Sequence, residues 1–165
     1  MLQLLKGRAM VLLAGVAFIV IDQWVKLLAL GSLQTQSFQF GGRPLNLALE
    51  LSLNPGAFLS VGAGLPPYVK QLVFILGVAG VVAWAGYWAL GHWASDSRKA
   101  LAVYGIALGG LGNLIDRVVR EGHVVDYLIV NVGPAHTGVF NIADIAITAG
   151  AIFLAIDLFA KPRQV

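Results

Sequence analysis

Four apolar stretches, each long enough to cross a lipid bilayer, constrain this chain more than any other feature of its sequence. A spanning helix needs about 20 mostly apolar residues, and candidates occupy residues of about 9–30, 68–90, 100–117 and 139–159. Only 12% of the 165 residues are charged and the mean hydropathy is +0.82, whereas soluble domains carry about 25% charged residues. The sequence therefore predicts a mainly α integral membrane protein, with four transmembrane helices in a single domain over residues 1–165.

The segment from Met1 to Ile21, which includes most of the first stretch, also has the basic start and apolar run of a signal peptide. No small-residue cleavage site follows it; Asp22, Gln23 and Lys26 follow instead. A cleaved leader normally ends in such a site. We interpret the stretch as a retained first membrane helix.

The connection between the first two helices carries a different periodicity. Leucines at positions 45, 47, 49, 51 and 53 alternate with smaller or polar residues. A period of two over nine residues predicts a half-buried strand, and the Gly41–Pro44 cluster before it is a turn signal. With Gln34–Phe40 as the partner strand, we expect a small antiparallel β-sheet within residues of about 33–62, on the outer side of the membrane with its leucine face toward lipid or the helices.

Basic residues predict the orientation of the four helices. One side of the membrane would hold six of them in three short segments: Lys6, Arg8, Arg98, Lys99, Lys161 and Arg163. The loops of the other side hold Arg43 and Arg120. Because short cytoplasmic loops carry the excess of Lys and Arg, both termini are predicted to be cytoplasmic.

This orientation gathers polar residues in the outer leaflet. Asp22 lies toward the outer end of the first helix, Asp116 lies at the outer end of the third, and Asp126 falls in the outer loop that follows. The outer turns of the fourth helix carry Asn141 and Asp144. Ionisable groups inside a membrane are costly, so they are functional candidates by default.

The available side chains narrow the chemistry. The chain has no cysteine, which excludes disulfides and thiolate nucleophiles, and its three histidines are scattered without metal-ligand spacing. The net charge of +3 comes from short basic clusters rather than a nucleic-acid patch. We predict no metal, no cofactor and no nucleic-acid partner.

Paired aspartates can hydrolyse a peptide with these limited means. Two carboxyl groups a few ångströms apart do not both ionise cheaply, so the pair holds one proton. The ionised member can deprotonate water, and the protonated member can donate to the attacked carbonyl. We expect Arg117 to neutralise Asp116, which leaves Asp126 and Asp144 as the working pair. Asp22 and Lys26 would either pair with each other or contact the substrate.

Five motifs in this order carry a resemblance to a known family. They are Asp22-Gln23-x-x-Lys26, Asn54-x-Gly56, Gly112-Asn113-x-x-Asp116-Arg117, Val124-Val125-Asp126-Tyr127 and Phe140-Asn141-x-Ala143-Asp144. The chain resembles the bacterial lipoprotein signal peptidases, or signal peptidase II, over nearly its whole length.

The resemblance implies an aspartyl endopeptidase that removes the signal peptide of a prolipoprotein just before a diacylglyceryl-modified cysteine. It implies Asp126 and Asp144 as the catalytic pair and inhibition by globomycin. The remaining motif positions, which would bind substrate or orient the site, are Asp22, Lys26, Asn54, Gly56, Asn113, Asp116, Arg117, Asn141 and Ala143. We expect a multi-pass monomer in the bacterial inner membrane, whose partners are prolipoproteins and membrane lipids.

One motif departs from the family pattern. The family's second motif usually runs Asn-x-Gly-Ala-Ala-Phe-Ser, whereas this chain reads Asn54-Pro55-Gly56-Ala57-Phe58-Leu59-Ser60. The aromatic residue comes one position early, and such a shift in a strand moves a side chain to the opposite face. The departure affects the expected substrate contact of Phe58, not the catalytic pair.

Three other functions fit parts of the sequence. Intramembrane acids also serve ion-coupled transporters, but the apolar run Leu72–Leu90 in the second helix offers no polar path to the cytoplasm. A non-catalytic protein that binds or assembles lipidated peptides could share the architecture. Ser60 with Lys70 suggests a serine–lysine peptidase, although nothing in the sequence places the lysine beside the serine.

Overall fold

The computed structural model describes residues 2–55 and 66–160, which form four helices and one four-stranded sheet. In chain order the elements are α1 (Leu2–Ser32), β1 (Phe38–Gly41), β2 (Leu45–Asn54), α2 (Pro67–His92), α3 (Ser97–Val119), β3 (Val124–Val132), β4 (Ala135–His136) and α4 (Ile142–Phe159).

All four helices contain stretches long and apolar enough to span a membrane: Ala9–Ser32, Gln71–His92, Ser97–Val119 and Ile142–Phe159. The predicted class, a mainly α membrane protein with four helices and a small antiparallel sheet, is confirmed. Side-chain caps determine where two of the helices begin. The Asp96 carboxylate accepts from the Lys99 N–H before α3, and Asn141 caps α4, so that helix begins at Ile142 rather than near residue 139.

Helix α3 is the central helix and packs against α1, α2 and α4. Its glycines make these close approaches possible. A Cβ on Gly109 would collide with the Ala143 carbonyl of α4, and one on Gly112 would lie 2.6 Å from Asp22 Oδ2 of α1. Small residues allow membrane helices to approach to backbone contact. The glycines therefore bring the C-terminal half of α1, the C-terminal half of α3 and the start of α4 together around one point.

The sheet has the strand order β1-β2-β3-β4, and all its neighbours are antiparallel. The expected partner strand at Gln34–Phe40 is shorter and forms over Phe38–Gly41. The prediction that Asp126 lies in a loop was wrong, because it lies within β3. Residues 124–127 are buried on both faces of the strand, so their sequence does not show the alternation that identified β2.

A bulge interrupts the pairing of β2 with β3 beside Asp126. Leu49 pairs with Leu128 and Ser52 pairs with Asp126, so three residues along β2 match two along β3. A bulge bends its strand and re-aims the side chains next to it, and bulges are frequent beside active sites. This one brings Asn54, at the end of β2, within hydrogen-bond distance of Asp126.

One face of the sheet is apolar, as its register shows. Phe40 pairs with Leu47, Leu47 with Val130, and Leu45 with Val132. Phe40 is 55% exposed and Leu45 is 59% exposed. Toward α1 the sheet meets a small core of Ala29, Leu33, Val125 and Tyr127. The sheet is therefore attached to the C-terminal end of α1 at one end and presents apolar side chains at the other.

Candidate active site

The start of helix α4 fixes the Asp144 carboxylate. The side chain of Asn141, the N-cap residue, accepts a hydrogen bond from the Asp144 N–H at 3.0 Å. In return the Asn141 N–H donates to Asp144 Oδ2 at 3.1 Å. This reciprocal capping box satisfies two N–H groups that a helix start would leave unpaired. Asp144 is thus anchored to the backbone by one oxygen.

The same asparagine holds Asp126. Its Nδ2 donates to Asp126 Oδ1 at 2.7 Å, and Asn54 Nδ2 donates to Asp126 Oδ2 at 3.0 Å. Asp126 is only 2% exposed. Asn141 therefore bridges the two carboxylates, through its side chain to one and through its backbone N–H to the other.

Asn113 of α3 completes the hydrogen bonding of Asp144. Its Nδ2 donates to Asp144 Oδ1 at 2.7 Å. Its Oδ1 accepts from Asn141 Nδ2 at 3.1 Å and from Lys26 Nζ at 2.9 Å. The side-chain carbonyl oxygen of Asn113 thus faces two donors, and its NH₂ group faces an acceptor. Both ends of the amide are hydrogen-bonded.

A buried ionic cluster lies behind Asn113, between α1 and α3. Lys26 Nζ lies 3.0 Å from Asp22 Oδ2 and 3.0 Å from Asp116 Oδ2, and all three side chains are fully buried. Asp116 also pairs with Arg120 and accepts the Val125 N–H at 3.1 Å. Buried charges need such partners, because an unpaired ion in the interior costs several kcal/mol.

The expected Asp116–Arg117 pair was wrong. Asp116 is neutralised by Lys26 and Arg120, whereas Arg117 Nη1 donates to the backbone carbonyl of Asn113 at 3.2 Å. The Arg117 guanidinium lies 5.0 Å from the centre of the Phe74 ring. Consecutive residues on a helix point in different directions, whereas residues four apart share a face. Arg120 is therefore the neighbour that Asp116 meets.

Two residues of the cluster were absent from the predicted site. Gln23 Nε2 donates to Asp22 at 3.0 Å and to Asp116 at 3.1 Å, and Arg120 pairs with Asp116. The four-residue spacing from Asp116 to Arg120 was the signal that could have identified the arginine. Gln23 stands in the first of the five motifs, but no spacing related it to Asp116, because that contact depends on how α1 packs against α3.

The other predicted residues fall into three groups. Ala143 is fully buried, against Gly109 and Gly112 of α3. Asp22 and Lys26 pair with each other inside the protein, one of the two arrangements expected. Gly56 and the displaced Phe58 lie outside the described residues. Within residues 2–55 and 66–160, no group of three or more His, Asp or Glu side chains is placed to hold a metal.

Burial raises the pKa of Asp126 above the ordinary carboxyl value, and the negative charge of Asp144 raises it further. The hydrogen bonds from Asn54 and Asn141 stabilise the ionised form and oppose this rise in pKa. Burial also raises the pKa of the neighbouring Tyr127 to about 12, so its phenol stays neutral near pH 7. The net effect of these surroundings is to raise the pKa of Asp126, because burial has the largest influence on it.

Four membrane helices and two carboxylates that one asparagine joins, Asp126 buried and Asp144 partly exposed, define a membrane peptidase of the aspartyl class. The sequence profile described as signal peptidase (SPase) II matches residues 14–160. The chain belongs to the signal peptidase II family, as its motifs indicated.

Relatives cover almost the whole chain. The lipoprotein signal peptidase of Pseudomonas putida is 36% identical over 162 residues, which cover 96% of this chain and 91% of that protein. The Pseudomonas fluorescens protein of the same name is 36% identical over 161 residues, or 95% and 91% of the two chains. A bacterial membrane enzyme solved by the in meso method has a TM-score of 0.70 and 27% identity, with 93% of each chain covered.

Proposed function

We propose that this protein is a membrane-embedded aspartyl endopeptidase that removes the signal peptide of prolipoproteins on the N-terminal side of a diacylglyceryl-modified cysteine. The observation that carries the proposal is the bridge made by Asn141, which binds both Asp126 and Asp144. The membership of the chain in the signal peptidase II family, and relatives named lipoprotein signal peptidase, support the substrate.

The two carboxyl groups have different roles in the proposed reaction. Asp126 is the protonated member, because burial and the charge of Asp144 raise its pKa. Asp144 is the ionised member and accepts from Asn113 and the Asn141 backbone. Asp144 takes a proton from water, the resulting hydroxyl group bonds to the scissile carbonyl carbon, and Asp126 gives its proton to the carbonyl oxygen.

Collapse of the tetrahedral intermediate reverses these roles. Asp144 passes its proton to the nitrogen of the modified cysteine, the carbon–nitrogen bond breaks, and Asp126 recovers its proton from a hydroxyl group of the intermediate. The products are the signal peptide with a new carboxyl end and the lipoprotein with a free amino group. Asn113 and Asn141 hold the carboxylates and, as neutral amides, take no proton themselves.

The rivals explain less of the site. Among the described residues, the buried polar ones are Asp22, Lys26, Asn113, Asp116, Asp126 and Asn141. They form one connected cluster around a single site, rather than the chain of polar groups through the membrane that an ion path requires. The hypothetical serine nucleophile Ser60 lies outside the described residues. The relatives carry the name of a peptidase rather than of a binding protein.

The proposed setting follows the distribution of charge. With the basic residues inside, both termini lie in the cytoplasm and the carboxylate pair lies near the outer leaflet of the bacterial inner membrane. A diacylglyceryl group would hold the cysteine at that depth, so the scissile bond reaches the site by lateral movement. The exposed apolar side chains of the sheet, such as Phe40 and Leu45, would rest on the lipid. The enzyme acts as a monomer in this proposal.

Cleavage of a diacylglyceryl-modified prolipoprotein peptide in detergent tests the function. Wild type should cut it, and Asp126→Asn and Asp144→Asn should each reduce kcat by about a thousandfold or more, since residues that act as a unit fail together. Asp157→Asn is the matched control, because its ion pair with Lys99 lies at the other end of α3. Cleavage by both site variants would overturn the pair. A wild type that binds the peptide without cutting it would establish the binding-protein alternative.

A further inference from the structure

The ammonium group of Lys26 is completely engaged. It has three N–H donors, and three oxygens lie around it: Asp22 Oδ2 at 3.0 Å, Asp116 Oδ2 at 3.0 Å and Asn113 Oδ1 at 2.9 Å. The side chain is fully buried, so Lys26 has no surface with which to meet a substrate. Its role in a peptidase must pass through one of these three neighbours.

Among the residues that the structure describes, only Asn113 connects Lys26 to the catalytic pair through side chains. The side-chain carbonyl oxygen of Asn113 faces Lys26 and Asn141, and its side-chain NH₂ group donates to Asp144 Oδ1 at 2.7 Å. If this amide turned over, its carbonyl oxygen would face the Asp144 carboxylate and its NH₂ group would face the ammonium. Both contacts would then be repulsive. The positive charge on one side of Asn113 therefore sets which atom faces the carboxylate on the other side.

We infer that Lys26 is a positioning residue for catalysis: it fixes the Asn113 amide so that Asn113 holds the Asp144 carboxylate for attack by water. Asp22 and Asp116 keep the lysine in place and offset its charge, and Arg120 offsets that of Asp116. The cluster contains two acids and two bases, so it is neutral as a whole. This inference rests on the proposed peptidase function, in which Asp144 is the base.

Removal of Lys26 alone would leave the buried Asp22 carboxylate without a cation, because Arg120 pairs with Asp116, and would endanger folding. The double variant Asp22→Asn/Lys26→Met avoids this, because one acid and one base remain. Asp22 Oδ1 has no hydrogen-bond partner within residues 2–55 and 66–160, so the NH₂ group of an asparagine can take its place without facing another donor there. The matched comparison is Asp22→Asn alone, which keeps the ammonium on Asn113.

The value of kcat distinguishes a positioning role of Lys26 in catalysis from a role in folding alone. Relative to Asp22→Asn, the double variant should lose about a hundredfold in kcat at nearly constant KM, the size of effect that a misplacement of about 1 Å produces. Each kcat is referred to the amount of folded enzyme. An unchanged kcat in a folded double variant would overturn the inference, whereas a wild type without activity would overturn the proposed function instead.

A mutant cycle tests whether Lys26 acts through Asn113. Asn113→Ala/Asp22→Asn and the triple variant Asn113→Ala/Asp22→Asn/Lys26→Met should have the same kcat, because the lysine has nothing left to orient. If the losses in kcat from the Asn113 and Lys26 substitutions multiplied, Lys26 would act independently of Asn113, and the inference would be overturned.

If the methionine variant does not fold, Asp22→Asn/Lys26→Gln replaces it. Its shorter, uncharged side chain should still lower kcat about tenfold, and a kcat equal to that of Asp22→Asn would overturn the inference.

Discussion

At the scale of single residues, this site depends on asparagines. Asn141 bridges Asp126 and Asp144, Asn113 holds Asp144, and Asn54 donates to Asp126. An amide offers both a donor and an acceptor and carries no charge. It can therefore orient a carboxylate without adding another ion to a site beside hydrocarbon, where each ion must be paired.

Asn54→Ala should shift the alkaline limb of the pH–rate profile to higher pH. The hydrogen bond from Asn54 stabilises the ionised form of Asp126 and lowers its pKa, so its loss raises the pKa and keeps the proton on Asp126 at higher pH. The profile of kcat/KM, which reports the free enzyme, measures the apparent pKa of the pair. Asn131→Ala, which removes a hydrogen bond to Asn46 at the far end of the sheet, should leave the limb in place. A limb that moves to lower pH in Asn54→Ala would contradict the assigned role of Asp126.

At the scale of elements, α3 decides where the site residues lie. It touches each of the other three helices and carries Asn113 and Asp116 one turn apart. Gly109, one turn before Asn113, allows α4 to approach so closely that Ala143 lies against it. Asp144 follows Ala143 directly. The distance between the Asn113 amide and the Asp144 carboxylate therefore depends on the packing of these two helices.

Gly109→Ala tests this dependence. Its Cβ would collide with the Ala143 backbone carbonyl, which cannot rotate away as a flexible side chain could. Overpacking of this kind costs about 1–3 kcal/mol, and the displaced start of α4 should lower kcat about tenfold or more. Gly77→Ala on α2, where a Cβ would meet no atom of the described residues within 4 Å, is the control and should leave the melting temperature and kcat close to those of wild type. Wild-type kinetics in Gly109→Ala would show that the site does not require this contact.

At the scale of the whole molecule, the proposed orientation places the sheet and the loop between α2 and α3 on opposite sides of the membrane. The chain contains no cysteine, so a single introduced thiol reports one position. Ser37, before β1, and Ser95, between α2 and α3, are both exposed. They offer a matched pair of isosteric Ser→Cys substitutions.

A membrane-impermeant maleimide should label Ser37→Cys in intact spheroplasts and Ser95→Cys only after the membrane is opened. The charge asymmetry of the loops is the physical reason, because Lys and Arg are retained on the cytoplasmic side. Both variants should label fully in detergent, which controls for reactivity. The opposite pattern would invert the proposed topology and place the carboxylate pair near the inner leaflet.

Sequence alone was enough for the features that depend on local pattern. Long apolar runs gave the four helices, and the alternating leucines of β2 gave the sheet, since both signals lie within one element. Strand β3 was missed because burial on both faces of Val125 and Asp126 removes the alternation. The order of the five motifs was sufficient for the family, and the cost of carboxylates near hydrocarbon marked Asp126 and Asp144 as functional candidates.

The partners within the site were decided only by the tertiary structure. Lys26 and Asn113 are 87 positions apart, and Gln23 and Asp116 are 93 apart, so no local spacing relates them. Their contacts exist because glycines let α1 and α4 approach α3 at one particular rotation. The same rotation places Lys26 beside Asp116, whereas Arg120 reaches Asp116 through the four-residue spacing within α3. A sequence specifies which side chains can pair, whereas the packing of the helices selects the pairs that form.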